Sequence, residues 1–392
     1  MTANAALDDP GEHENPYAAQ QRRAARVVHL IRDSFATVEP RADEVARYFY
    51  AVLFTIAPNT RDLFPINMEV QRSRFFHAMV HVVQMIDRPQ ELEPYLRQLG
   101  RDHRKFDVVN EHFEAVGTAL LAALKHYLDE DWTEELERAW ADAYAVVART
   151  MQEGAADATG PAWWPATVVD HHRIDRSVAV IRVQPDEPVP YRSGQYVSVE
   201  IPQRPRLWRS LSPANPPRDD GIMEFHVRTV DSGWVSRPLV HHVQIGDRWR
   251  IGSPMGNLWM NPAADRDMLL IAGGTGLAPM RAVIGELEQR TNTPNVELFF
   301  GGRTASDLYQ LDELRQLAGR YPWLSLTPVT EDGSVPGGFA GTLPEIVTSY
   351  GPWTGYDVLI AGSPEMIRAT VSRMLVAGTT FDQISYDSFP TD

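Results

Sequence analysis

At 392 residues, with 37 Lys and Arg against 52 Asp and Glu and a formal net charge of −15, the chain is long enough for two or three domains. It lacks the basic surface that nucleic acid or an anionic membrane would attract. The absence of cysteine excludes disulfides, thiolate nucleophiles, Cys-ligated zinc and iron–sulfur clusters. The opening MTANAALDDPGEHENP is polar and acidic, and no stretch of about 18 uninterrupted apolar residues occurs, so the expectation is a cytoplasmic protein with no obligatory membrane association and a flexible tail over 1–20.

Residues 21–153 repeat apolar positions every three to four residues, as in EVARYFYAVLF, FFHAMVHVVQMI and ALLAALKHYL, which predicts an all-α domain. In RYFYAVLFTIAPNTRDLFP, Tyr50 falls on a helix and Phe64 at the corner beyond it; in QRSRFFHAMV, Gln71 and Phe75 stand one turn apart. Tyr50 and Gln71 are polar groups on apolar faces, and each alone is compatible with an ordinary core position. In PYLRQLGRDHRKF, Leu96, Leu99, His103 and Phe106 recur at three- and four-residue steps, which places His103 on the apolar face of its helix. An imidazole so placed serves either as a satisfied core histidine or as the ligand of a haem iron, which requires that setting.

The stretch GAADATGPAWWP reads as a linker over 154–165. From 166 to 266 the texture becomes period two, in ATVVDH, SVAVIRV, QYVSVEI, MEFHVRTV and DRWRIG, which predicts an antiparallel β-barrel. RSLS (Arg209, Ser210, Leu211, Ser212) lies on one of its strands, where Arg209 suits a phosphate and Ser212 a flavin. GWVSRPL, with Gly233, Val235 and Ser236, is a small-residue turn opening a short helix, a setting for a pyrophosphate.

From 267 to 392, strands such as MLLIAGG, VELFFGG and YDVLIAGS alternate with helical stretches, the pattern of a parallel α/β sheet. In LLIAGGTGLAPM, Gly273, Gly274, Thr275 and Gly276 form a turn whose backbone can approach a phosphate, before a helix opening at Leu277, Ala278 and Pro279. Pro279 takes the place of a third glycine, and the turn alone is equally compatible with an ordinary strand-to-helix connection. After the second strand, FFGGRTASD supplies Arg303 where an acid would bind a ribose 2′-hydroxyl, which permits NADPH. SYDSFPTD puts Phe389 just beyond the last strand.

Residues 163–392 resemble the ferredoxin–NADP reductase-like module, with GQY (194–196, ending in Tyr196) and RSLS before the flavin, GWVS for its pyrophosphate, and GGTGLAPM and AGSPEM (Ala361 to Met366, including Gly362) around the nicotinamide nucleotide. With the helical third included, the whole chain resembles a divergent flavohaemoglobin: an all-α globin, an antiparallel β-barrel FAD domain and an α/β parallel-sheet nicotinamide-binding domain. The resemblance implies haem b held by His103, a distal pocket of Tyr50, Gln71 and Phe75 with Phe64 at the corner, FAD, and NADH or NADPH as donor, with NADH favoured by the family. It also implies O2 binding and conversion of NO to nitrate. By spacing, Phe113 and Ala155 replace the family's proximal Tyr and Glu, Leu211 replaces a flavin-contacting Tyr, and Ala361 replaces a cysteine. Alternatives are a haem- and flavin-linked reductase for oxidative stress, with another donor such as a 2-hydroxy acid, or an O2 or redox sensor.

Overall fold

The computed structural model describes residues 16–230, 233–260 and 266–387. The chain divides after Ala158 into two compact units. The first is helical: α1 (Pro16–Val38), α2 (Ala42–Ile56), α3 (Glu69–Met85), α4 (Pro89–His103), α5 (Asn110–Leu128) and α6 (Glu134–Ala156). Helix α2 buries Val45, Ala46, Phe49, Tyr50 and Leu53, spaced at three and four residues, into one core with Ala119, Ala123 and Leu124 of α5. Helix α6 starts where the Thr133 side chain accepts the Leu136 N–H at 3.2 Å, with Glu134, Glu135 and Glu137 in its positive first turn.

Two domain boundaries move. Helix α1 is already under way at Pro16, inside the tail expected over 1–20. Helix α6 runs to Ala156 and the first strand opens at Trp163, so the join is 157–162 and not 154–165. Gly154 lies inside the helix because α6 presses against α4 there: a Cβ on Gly154 would overlap the Arg97 carbonyl oxygen, and one on Gly100 that of Met151.

The second unit begins with β1 (Trp163–Arg173), β2 (Val178–Pro185), β3 (Val197–Ile201), β4 (Arg204–Leu211), β5 (Met223–Arg228), the short helix α7 (Ser236–His241) and β6 (Arg248–Gly252). They form an antiparallel sheet in the order β4-β3-β6-β1-β2-β5, and a bridge from Pro213 to Phe225 draws its two edges together into a barrel. Alternate residues fill the interior, among them Ile181, Val199, Phe225 and Ile251.

A parallel sheet follows, of order β10-β9-β8-β7-β11-β12. Its elements are β7 (Met268–Gly273), α8 (Leu277–Leu287), β8 (Val296–Gly302), α9 (Leu311–Arg320), β9 (Leu324–Thr330), β10 (Phe339–Ala340), α10 (Leu343–Ser349), β11 (Asp357–Ala361), α11 (Pro364–Val376) and β12 (Ile384–Tyr386). The strands read as apolar runs because helices cover both faces. The strand order reverses between β7 and β11, which opens a crevice at their carboxyl ends. Among the described residues no helix is long and apolar enough to cross a membrane.

Candidate functional site

In the helical unit, α2 and α3 bring Tyr50, Phe64, Gln71 and Phe75 together. The Tyr50 ring stands 5.3 Å from that of Phe64 and 5.8 Å from that of Phe75, both edge-on, while Phe49 stacks on Phe75 at 4.2 Å. Gln71 Nε2 donates to the Tyr50 hydroxyl at 3.3 Å. The phenol oxygen is thus an acceptor there, and its own proton stays free to be given to a bound molecule. Burial pushes the Tyr50 pKa well above that of a free phenol, with the Gln71 bond opposing weakly, so the hydroxyl remains a neutral donor.

His103 closes α4. Its Nδ1 lies 2.8 Å from the Leu99 carbonyl oxygen, and because a carbonyl can only accept, Nδ1 carries the proton. The Nε2 lone pair is then left for a metal, with the ring orientation fixed by the helix itself. Burial lowers the His103 pKa, against the charge of Asp102, which favours this neutral ligand form. Phe113 lies with Leu92, Leu96, Leu99 and Met151 in a smaller apolar cluster beside α4, and its carbonyl accepts the Tyr144 hydroxyl at 2.6 Å. Glu153 is exposed and bonded to Arg97 at 2.9 Å.

In the barrel, the β3–β4 register sets Val199 opposite Arg209, Ser198 opposite Ser210 and Val197 opposite Leu211. Leu211 packs against the barrel core, whereas Ser210, one residue before it, points to the other face. Tyr196 bridges to Met255. In the turn before α7, Gly233 leaves no room for a Cβ, since one would lie 2.6 Å from Val230 Cγ2. Ser236 Oγ there accepts the Val230 N–H at 3.2 Å, and Val235 joins the barrel core, so these two side chains build the turn.

At the reversal of strand order the glycines of GGTG divide their roles. Gly274 has φ +54° and its missing side chain would face open space, which leaves a backbone concavity. Gly276 is required by packing, since a Cβ would lie 2.5 Å from the Ala361 carbonyl carbon. Gly273 and Gly362 face each other across the crevice, a Cβ on Gly362 reaching 3.3 Å from the Gly273 Cα. Thr275 is half-buried in the turn. Leu277, Ala278 and Pro279, expected at the nucleotide, have their side chains in the core. Leu277 gives its N–H to Gly274 and Thr275, and Pro279 has none to give, which leaves less of this stretch for a ligand than the sequence suggests. Arg303 is exposed just after β8. Phe389 lies outside the described residues.

Three family models divide the chain: Globin over 47–151, Oxidoreductase FAD-binding domain over 165–259 and Oxidoreductase NAD-binding domain over 270–372. The phenol hydroxylase P5 protein of Acinetobacter pittii is 29% identical over 54% of this chain, which spans 61% of that relative's length. The flavohemoprotein of Bacillus subtilis is 24% identical over 93% of this chain and 96% of its own. A flavohemoglobin from Malassezia yamatoensis, solved with bound FAD and heme, has the same fold at 16% identity, with a TM-score of 0.77 over 92% of this chain and 98% of that one. The chain belongs to the flavohaemoglobin family. It is therefore an oxidoreductase assembled from a haem-type globin and FAD- and nicotinamide-binding domains.

The residues present fit these cofactors: His103 offers its Nε2 in an apolar setting, and Gly274 an uncovered, positive-φ backbone turn at a strand-order reversal. The chain also holds charged groups that periodicity does not single out. Lys105 is buried beside His103 and bonded to Asp102, and the Asp102 charge is also felt by the half-buried Arg74 of α3. Asp387, one residue after β12, accepts the Asn257 N–H at 2.9 Å, and burial pushes its pKa up to about 6.

Proposed function

We propose that the chain is an NAD(P)H-dependent oxidoreductase that passes electrons through FAD to haem in the globin domain and there converts NO to nitrate with O2. When bound, FAD takes the donor's electron pair and releases single electrons to the haem iron. The residues of the chain bind, orient and shield. His103 Nε2 holds the iron, and the Leu99 carbonyl keeps the proton on Nδ1. The Tyr50 hydroxyl, supported by Gln71, donates a hydrogen bond into the distal pocket, and Phe64 and Phe75 keep water from it. Arg209 pairs with FAD phosphate and Tyr196, Ser210 and Ser212 border the flavin, while the turn at Gly233 and the concavity at Gly274 take pyrophosphates.

The observation that carries this reading is the Tyr50–Gln71 pair: a buried phenol whose oxygen already accepts a bond, so that its proton is aimed elsewhere. A purely reductive module has no use for such a donor in its globin. Phe113 and Ala155 offer His103 neither a hydroxyl nor a carboxylate, and Glu153 is engaged with Arg97, so little electron density is pushed toward the iron and peroxide cleavage is weak. The test is NO consumption by the cofactor-loaded chain in air with a nicotinamide donor. Nitrate formed in proportion to donor oxidised supports the proposal. A stable O2 complex with negligible turnover would overturn it in favour of a sensor.

A further inference from the structure

The loop after β8 is tied to the flavin barrel by contacts that the proposed function leaves unused. Arg228, the last residue of β5, gives Nη1 to Asp307 Oδ1 at 2.7 Å. Two residues earlier, the buried His226 has Nδ1 2.9 Å from the Tyr309 hydroxyl and Nε2 3.0 Å from Glu224 Oε1. The second Asp307 oxygen, Oδ2, accepts from the Thr304 N–H at 3.0 Å and the Thr304 hydroxyl at 3.1 Å. Asp307 is the one acid between Arg303 and Tyr309, and both of its oxygens are committed. Arg303 is exposed, and among the described residues it makes no ion pair. Glu331 and Asp332 approach this loop by main chain, their N–H groups donating to the Gly302 and Arg303 carbonyls at 3.2 and 2.7 Å, with both side chains exposed.

The end of the second strand is where a dinucleotide domain tells NADH from NADPH: an acid there binds the ribose 2′-hydroxyl and repels a 2′-phosphate, and a cation does the reverse. Asp307 is the loop's own candidate for that acid, and Arg228 offsets its charge from the neighbouring domain. We infer that Arg228 is a specificity residue acting through Asp307: by engaging this carboxylate the flavin barrel leaves Arg303 as the dominant charge of the adenosine site, and the preferred donor carries a 2′-phosphate. The inference rests on the nicotinamide-dependent function proposed above, and it reverses the family-based expectation of NADH.

The test is calorimetric titration of the full cofactor-loaded chain with 2′,5′-ADP and with 5′-AMP. The native chain binds 2′,5′-ADP at least about tenfold more tightly, the gain expected of one charge-assisted contact. Arg303→Gln removes that preference. Arg228→Gln uncovers Asp307 and reduces it, and the double variant Arg228→Gln with Asp307→Asn restores it, which a merely structural role for Arg228 would not allow. Flavin absorbance and melting temperature show that each variant is folded. Equal affinity for the two probes, or a double variant no better than Arg228→Gln, would overturn the inference while leaving nicotinamide dependence intact. Binding of neither probe would overturn both readings.

Discussion

Replacing Gly100 by Ala adds one methyl group at the crossing of α4 and α6, one turn before His103. The new Cβ would overlap the Met151 carbonyl oxygen and lie 2.6 Å from its carbon, whereas ordinary contact begins at about 3.4 Å. The two helices must therefore part locally by at least about 0.8 Å, the difference of those distances, and by more to clear the oxygen. Overpacking of this kind costs about 1–3 kcal/mol. The gain in helix propensity from Gly to Ala returns about 1 kcal/mol, so the net effect is destabilising by up to about 2 kcal/mol. For a unit of this size that lowers the melting temperature by up to roughly 8 °C. Because the Leu99 carbonyl that orients His103 belongs to the adjacent residue, haem retention falls as well. The assay is thermal loss of the Soret band, with haem content after gel filtration. A Gly100→Ala chain that melts at or above the native temperature with full haem would show that propensity wins and that the crossing does not position His103.

His103→Ala leaves FAD content unchanged and abolishes haem retention unless imidazole is supplied; an unaltered Soret band in that variant would remove His103 from the site. Tyr50→Phe deletes the distal donor and speeds O2 dissociation roughly ten- to hundredfold, measured by stopped-flow displacement, and an unchanged rate would show that the hydroxyl does not reach the ligand. Asp387 has a folded pKa near 6 against 3.8 when free, so its contribution to stability is full below about pH 3.8 and is lost as the pH rises through 6. At one pKa unit per about 1.4 kcal/mol, ionising it in the fold costs up to about 3 kcal/mol, so Asp387→Asn stabilises the reductase unit at pH 7.5 much more than at pH 5. Denaturant midpoints at the two pH values decide this, and a pH-independent difference would count against it.

Where local pattern and burial agree, the sequence is legible. Period-two runs with Pro, Gly and Asp breaks give the barrel strands, and apolar runs such as LLIAGG give β7 of a parallel sheet covered on both faces. The apolar step from Leu96 to His103 and the Tyr50 and Gln71 positions are likewise visible, because helical spacing brings distant letters to one face. The helix end at Ala156 is hidden in the sequence because Gly154 reads as a linker residue. It is in the helix for a tertiary reason, the close approach of the Arg97 carbonyl, which no local signal carries. Motif position puts Leu277 and Ala278 at the nucleotide, whereas the packing of α8 onto the sheet turns their side chains inward. The links from Arg228 to Asp307 and from Asn257 to Asp387 join residues 79 and 130 positions apart, and such pairing is set by topology and not by spacing.

In the function proposed above, one chain carries electrons from a nicotinamide through flavin to haem. The most direct measurement adds NADPH, and in a second run NADH, anaerobically to the FAD- and haem-loaded chain and follows flavin bleaching and the Soret band together. The expected result is that the flavin bleaches first and the Soret band then moves to its ferrous position without an added mediator. A flavin that bleaches fully over a haem that stays ferric would contradict it.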